Sequence, residues 1–256
     1  MNNVNVKPLR DRALLLAVDL DGTFLGGSDD DRRALYDLID RNRDDIALVY
    51  VTGRDIEFAS GVARHGVAPA PDLIIGDVGT SVAVGPEWTP HVELERWIDD
   101  SWPGPERAAQ ILKGRAYLAP QRIFGGRRLS YFYASHADAE RAAADIEAAG
   151  YAALLSANVF FDVLPPGVNK GQTLLRLLAH EGFARERVLC AGDTMNDLSL
   201  FETGLRGVAV GNSEPPLRHA VAGLNNVYHA RRHGAGGIVE AIVHFDLLPT
   251  AAIEVH

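Results

Sequence analysis

The chain has 256 residues, 47% hydrophobic and 23% charged, a composition that supports a sizeable core and excludes wholesale disorder. Its length suits one large domain or two small ones. A net charge of −9 makes it a poor generic binder of nucleic acid or of an anionic membrane.

Taken in chain order, Leu14 to Val18 is a continuous apolar run, as expected of a strand buried on both faces of a parallel sheet. The run from Ala13 is too short to span a bilayer and lacks a signal-peptide cleavage site, which predicts a cytoplasmic protein. Leu35, Leu38 and Ile39 recur at helical spacing. Ile46 to Val51 forms a second apolar run, a helix is expected from Ile56, and Asp72 to Ile75 gives a third short strand. This alternation is the signature of a doubly wound sheet. Beyond about Ala83 the chain is broken by prolines and carries all three tryptophans, Trp88, Trp97 and Trp102. A strand over 129–134, a helix over 137–149 and strands over 151–156 and 159–164 predict a small α+β unit there, closed by Pro165-Pro166-Gly167. After that hinge a helix over 173–179, strands within 187–191 and 207–210, and a last helix over 237–245 restore the alternation. The expected architecture is a Rossmann-like α/β core of residues 1–83 and 166–256, with residues 84–165 inserted as a cap. Cys190 is the only cysteine, which excludes an intrachain disulfide and fits a reducing compartment.

Four short motifs carry chemistry. Asp19-Leu20-Asp21-Gly22-Thr23 follows the first strand, where open α/β sheets bind ligands. One of its carboxylates can attack phosphorus while the other protonates the leaving oxygen and then activates water. An EF-hand calcium loop is excluded, because Phe24 stands where its glycine is required. Thr52-Gly53-Arg54 follows the second strand and offers a hydroxyl and backbone N–H groups to a phosphate. Asn169-Lys170-Gly171 opens a helix after the hinge and places a cation that could neutralise both phosphate and carboxylate. The glycine spacing of a Walker A loop is missing. Gly192-Asp193-Thr194-Met195-Asn196-Asp197 puts two carboxylates at the end of a strand, a donor set suited to Mg²⁺.

In this order and placement the four motifs resemble those of the haloacid dehalogenase superfamily of Mg²⁺-dependent phosphatases, with the insert where members with a C2-type cap carry theirs. The resemblance implies Asp19 as nucleophile and Asp21 as general acid and base. Thr52, Gly53, Arg54, Lys170 and Asn196 would hold the phosphoryl group. Asp19, the Asp21 carbonyl and Asp193 would hold Mg²⁺, with Asp197 supporting it. Within the superfamily the chain is similar to the sucrose-6-phosphate phosphatases. That likeness rests on Val78-Gly79-Thr80, Leu129-Ser130-Tyr131, Asp162 to Pro165 and the closing segment 236–245. It points first to hydrolysis of sucrose 6-phosphate, with Arg128 as a substrate-binding residue and a sucrose-phosphate synthase as a partner. Arg128 departs from the family's lysine, changing reach and hydrogen-bond geometry. Mannosylfructose phosphate and glucosyl-3-phosphoglycerate are alternative substrates; a phosphomutase or a silent binding module are alternative functions.

Overall fold

The computed structural model describes residues 7–123 and 125–249. Its first strand, β1 (Leu14–Val18), is buried along its whole length, and its side chains divide by parity. Leu14, Leu16 and Val18 enter one apolar cluster; Leu15 and Ala17 enter another on the opposite face. A strand covered on both faces belongs at the centre of a parallel sheet. The elements that follow are α1 (Asp29–Arg41), β2 (Ile46–Val51), α2 (Ile56–Arg64), β3 (Leu73–Gly76), β4 (Ser81–Val84), β5 (Thr89–Pro90) and α3 (Val92–Ser101). Then come α4 (Glu106–Leu112), β6 (Leu118–Pro120), β7 (Leu129–Tyr133), α5 (His136–Ala148), β8 (Ala152–Ser156) and β9 (Phe160–Leu164). The chain closes with α6 (Lys170–Glu181), β10 (Val188–Gly192), α7 (Leu198–Phe201), β11 (Arg206–Ala209), α8 (Pro215–Val221), β12 (Val227–His229) and α9 (Gly234–His244).

The large sheet has the order β12-β11-β10-β1-β2-β3-β4-β5. It is parallel from β12 to β3, and β4 and β5 add an antiparallel edge. Helices cover both faces: Leu35 of α1 and Ile238 and Ile242 of α9 pack on one, Leu94 of α3 and Leu174 and Leu177 of α6 on the other. From β1 the chain winds outward through β2 and β3, then returns to β10 on the other flank of β1 and winds away again. The crevice beyond β1 and β10 is therefore the topological switch point, where such sheets bind ligands.

The second sheet is antiparallel, in the order β6-β7-β9-β8. Ala108 of α4, Ala142 and Ile146 of α5, and Phe161 and Val163 of β9 form its own apolar core. The boundary expected at residue 84 falls too early. β5 pairs with β4 in the large sheet, and α3 buries Leu94 and Ile98 against its core. Of the three tryptophans expected in the insert, Trp88 and Trp97 pack with the large sheet's clusters and only Trp102 with the small one. Two ion pairs tie the layers together here, since Arg127, just before β7, binds Glu95 and Asp99 of α3. No helix among the described residues is long and apolar enough to cross a membrane.

Candidate active site

Asp19 is the first residue past β1, and its N–H donates to the Ala191 carbonyl of β10 at 3.0 Å. The chain then turns tightly through Leu20 to Phe24, with Gly22 at φ +78°. A Cβ on Gly22 would lie 2.3 Å from Asp193 Oδ2, so glycine is needed both for the turn and for the approach of the fourth motif. Thr23 hydrogen-bonds Asp193 Oδ1 at 2.8 Å, joining the first and fourth motifs. The Asn212 side chain, just past β11, donates to the Gly22 carbonyl at 2.9 Å and accepts from Gly234 N at 2.8 Å, fixing the turn from behind.

Lys170 is the first residue of α6, whose start is capped by the Asn169 side chain accepting from Gln172 N at 2.8 Å. Its side chain is 0% exposed. Nζ donates to Asp19 Oδ1 at 2.7 Å, Asp197 Oδ1 at 2.7 Å and Asn196 Oδ1 at 2.8 Å, so all three of its protons are used. Burial alone would lower this ammonium, but Asp19 and Asp197 outweigh it and hold it above its usual range. The other Asp197 oxygen accepts from Asp193 N at 2.9 Å and Thr194 N at 3.1 Å. Asp197, expected among the metal residues, thus shapes the loop and holds the lysine, and its carboxylate stands beside those of Asp19 and Asp193.

Asp19, Asp193 and Asp197 offer oxygens that all lie within 4.8 Å of one another. Burial raises Asp19 well above the ordinary carboxylate range; Lys170 opposes this, while Asp197 and Asp193 add to it. Asp193 is pushed up to about 7 by burial and by Asp197, against the pull of Thr23 and Lys170. Buried carboxylates in excess over one ammonium, all hard oxygen donors, form a site that a divalent cation such as Mg²⁺ fits.

Asp21 points away from this cluster. Its carboxylate, 53% exposed, pairs with Arg54 through Nε at 2.7 Å and Nη2 at 3.3 Å. Thr52 is buried, and its hydroxyl accepts from Arg54 N at 3.1 Å. Of the residues expected against the phosphate, Gly53, Arg54 and Asn196 line a cavity together with Asp19, Asp21 and Asp193, while Thr52 and Lys170 are buried. That cavity, of about 660 Å³, is walled on its other side by the second sheet. Phe132 and Phe160 stand there with ring centroids 5.7 Å apart, and Phe132 is 45% exposed. Ser156 and Ala157 also line it, at a hairpin turn in which Ala157 and Asn158 both have positive φ.

Arg128 lines the cavity too, but its guanidinium is engaged. It pairs with Asp77 at 2.9 Å and Asp162 at 3.3 Å, and Ser130 also donates to Asp162. Burial raises both carboxyls and Arg128 pulls them down. These pairs take one contact from each terminal nitrogen and leave Nε without a hydrogen-bond partner, so they do not exclude contact between Arg128 and a substrate in the cavity it lines. What it does in the structure is join the Asp77 turn of the large sheet to the small sheet.

With this geometry in place, comparisons with known proteins are decisive. The profile of the sucrose-6F-phosphate phosphohydrolase family matches residues 12–246. The chain belongs to that family. It is thus a phosphatase of the haloacid dehalogenase type, a phosphoric monoester hydrolase. The sucrose-phosphatase of Synechocystis, solved with sucrose and phosphate, superposes with a TM-score of 0.86 at 28% identity, covering 93% of this chain and 100% of that one. A mannosylfructose-phosphate phosphatase of Agrobacterium fabrum is 33% identical over 95% of this chain and 100% of its own length. A glucosylglycerol-phosphate synthase of Pseudomonas anguilliseptica is 42% identical over 92% of this chain, which spans only 31% of the synthase.

Sequence reasoning did not find Thr23, Asn212, Phe132 or Phe160. The Gly-Asn pair after β11 was a usable signal for Asn212. The two phenylalanines meet across paired strands, and nothing local marks that.

Proposed function

We propose that this phosphatase acts on the phosphate monoester of a glycoside, with glucosylglycerol phosphate its first substrate. The observation that carries the reading is the shared cavity, with Asp19, Asp21 and Asp193 on one wall and the apolar Phe132–Phe160 pair on the other. Such a cleft holds a phosphate at the sheet and an uncharged sugar face against the rings. The choice of glycoside is supported by 42% identity to part of a synthase named for glucosylglycerol phosphate, since a synthase's product is a phosphatase's substrate. Sucrose 6-phosphate is the second reading, favoured by the family profile and the Synechocystis likeness.

In the proposed reaction an Asp19 oxygen attacks phosphorus and the bond to the sugar oxygen breaks. Asp21, in its protonated form, gives that oxygen its proton. Arg54 grips Asp21 in the free protein; the incoming phosphate competes for the guanidinium and releases the carboxyl. Water then attacks the aspartyl phosphate, Asp21 takes its proton, and phosphate leaves. Lys170 holds Asp19 in place and Asp197 holds Lys170. Asp19, Asp193 and the Asp21 carbonyl would hold Mg²⁺, which supplies charge to offset the carboxylates and the phosphoryl oxygens. We assign residues 102–164 as the lid and the remainder as the core. A cytoplasmic location, with the synthase that makes the substrate as partner, belongs to the same proposal.

The test is phosphate release with Mg²⁺ from glucosylglycerol phosphate, sucrose 6-phosphate, mannosylfructose phosphate, glucosyl-3-phosphoglycerate and glucose 6-phosphate, with Asp19→Asn as control. Preference for glucosylglycerol phosphate, lost in the control, is the expected result. Preference for another glycoside corrects the substrate alone. Turnover surviving in Asp19→Asn overturns the mechanism, and sugar phosphate isomerised without release identifies a mutase.

A further inference from the structure

Behind the cavity wall, the loop between β11 and α8 makes contacts that the reaction as proposed does not use. Asn212, Ser213 and Glu214 follow one another there, and each reaches a catalytic motif. Asn212 donates to the Gly22 carbonyl, and Ser213 Oγ donates to the Gly192 carbonyl at 3.4 Å. Glu214 makes two bonds. Its N–H donates to the Asp193 carbonyl at 2.9 Å, and its Oε1 accepts from Met195 N at 2.5 Å. Within the fourth motif, Asp197 takes the N–H groups of Asp193 and Thr194, and the next one, that of Met195, goes outside the motif to Glu214. Glu214 thus brackets residues 193–195 from both ends. Pro215 follows and restricts it to extended backbone, here φ −63° and ψ 147°, which stiffens the bracket.

We propose that Glu214 is a positioning residue of the active site, fixing the main chain of residues 193–195 so that the Asp193 carboxylate can take a divalent cation. This rests on the reading of Asp193 as a ligand of that cation. Thr23 turns the Asp193 side chain through Oδ1, and Glu214 holds the backbone that carries it. Groups that hold a metal ligand in place are worth about 10–100-fold in metal affinity. Glu214 itself is not among the described residues that line the cavity. The same bracket bears on Asn196, the next residue, which lines the cavity and accepts from Lys170 Nζ at 2.8 Å. Glu214 has a second influence, by charge: burial and Asp197 lead the upward push on Asp193, and Glu214 adds to it. A variant that keeps the acceptor and drops the charge separates the two.

The experiment uses the full chain and has two readouts, amide hydrogen exchange in chelator and Mg²⁺ binding by calorimetry. In Glu214→Ala the Met195 amide should exchange about tenfold faster or more, with the amides of β1 unchanged, and Mg²⁺ should bind about tenfold more weakly or worse. Glu214→Gln should keep the slow exchange and recover about threefold or more of the lost affinity. Met195→Pro removes the N–H and leaves the charge; proline suits the first position of a helical turn, which Met195 holds in the turn 195–197. It should also weaken Mg²⁺ binding about tenfold, and the double variant should bind no more weakly than Glu214→Ala. Unchanged Met195 exchange or unchanged Mg²⁺ affinity in Glu214→Ala, a Glu214→Gln as weak as Glu214→Ala, or additive losses in the double variant would each overturn the assignment. Failure of the metal reading shows separately, as a wild type that binds no Mg²⁺ or an Asp193→Asn that binds it equally well, and removes the assignment with it.

Discussion

Lys170→Met keeps much of the side chain's bulk and removes its charge from a place with no access to water. Three acceptors lose their donor, two of them carboxylates at 2.7 Å. Removing one partner of a buried ion pair costs about 3–5 kcal/mol; with two carboxylates stranded, the upper end applies. For a chain of this size that is a fall in Tm of roughly 10–20 °C. The pH dependence has a definite sign. Burial already holds Asp19 above its unfolded value of 3.8, and loss of the ammonium raises it further. A carboxyl raised in the folded state penalises folding increasingly as pH climbs from the unfolded value through the folded one. The deficit of Lys170→Met should therefore be greatest near pH 8 and shrink toward pH 5. Adding Asp197→Asn should return a large part of the stability, because one stranded charge goes. The assay is a set of melts in chelator across that pH range for the wild type, the single and the double variant. A single variant within about 1 kcal/mol of the wild type, or a deficit that ignores pH, refutes the charge-balance reasoning.

Three further outcomes are expected. Because Asp193 is pushed up to about 7 and must lose its proton to ligate, Mg²⁺ should bind about tenfold more weakly at pH 6 than at pH 8; calorimetry showing equal affinities contradicts this. Arg128→Ala strands Asp77 and Asp162, each only a few per cent exposed, and should cost about 3–5 kcal/mol in denaturant melts, partly restored by Asp162→Asn. A variant that melts like the wild type would mean the two carboxyls are held by something else. Gly22→Ala forces a side chain at φ +78° into Asp193 and should lower kcat about 100-fold through misplacement of the site; unchanged kcat would show the turn to be pliable.

The elements legible in the sequence were those whose burial is complete and local. β1, β2 and β10 read as continuous apolar runs, and each chemical motif stands at the end of a strand or the start of a helix. Illegible elements draw their stability from elsewhere. β5 is two residues long, ends in a proline and exists only because β4 offers it an edge. α3 has a proper apolar face in Leu94 and Ile98, but prolines and tryptophans around it resemble the insert that follows. In the site, the motifs that meet at the sheet's end were readable and the partners of their side chains were not. Asp197 stands in the acidic cluster its motif suggested, but its bonds to Lys170 and to two backbone N–H groups could not be read from the motif. Arg128 lines the cavity and also pairs with Asp77 and Asp162, partners about 50 and 34 residues away that no local pattern reveals.

The place of β1 at the switch point also governs the order of events during synthesis. One flank of β1 is paired as soon as β2 emerges, since only a helix and two turns separate them. The other flank waits for β10, about 170 residues later, or roughly 10–30 s of translation. Throughout that interval a strand made of leucine, alanine and valine presents an open edge, the kind of edge that invites pairing with other chains. The small sheet, with an apolar core of its own, is complete before β10 exists. Slowing translation between residues 165 and 190 should therefore raise the share of chains lost to aggregates.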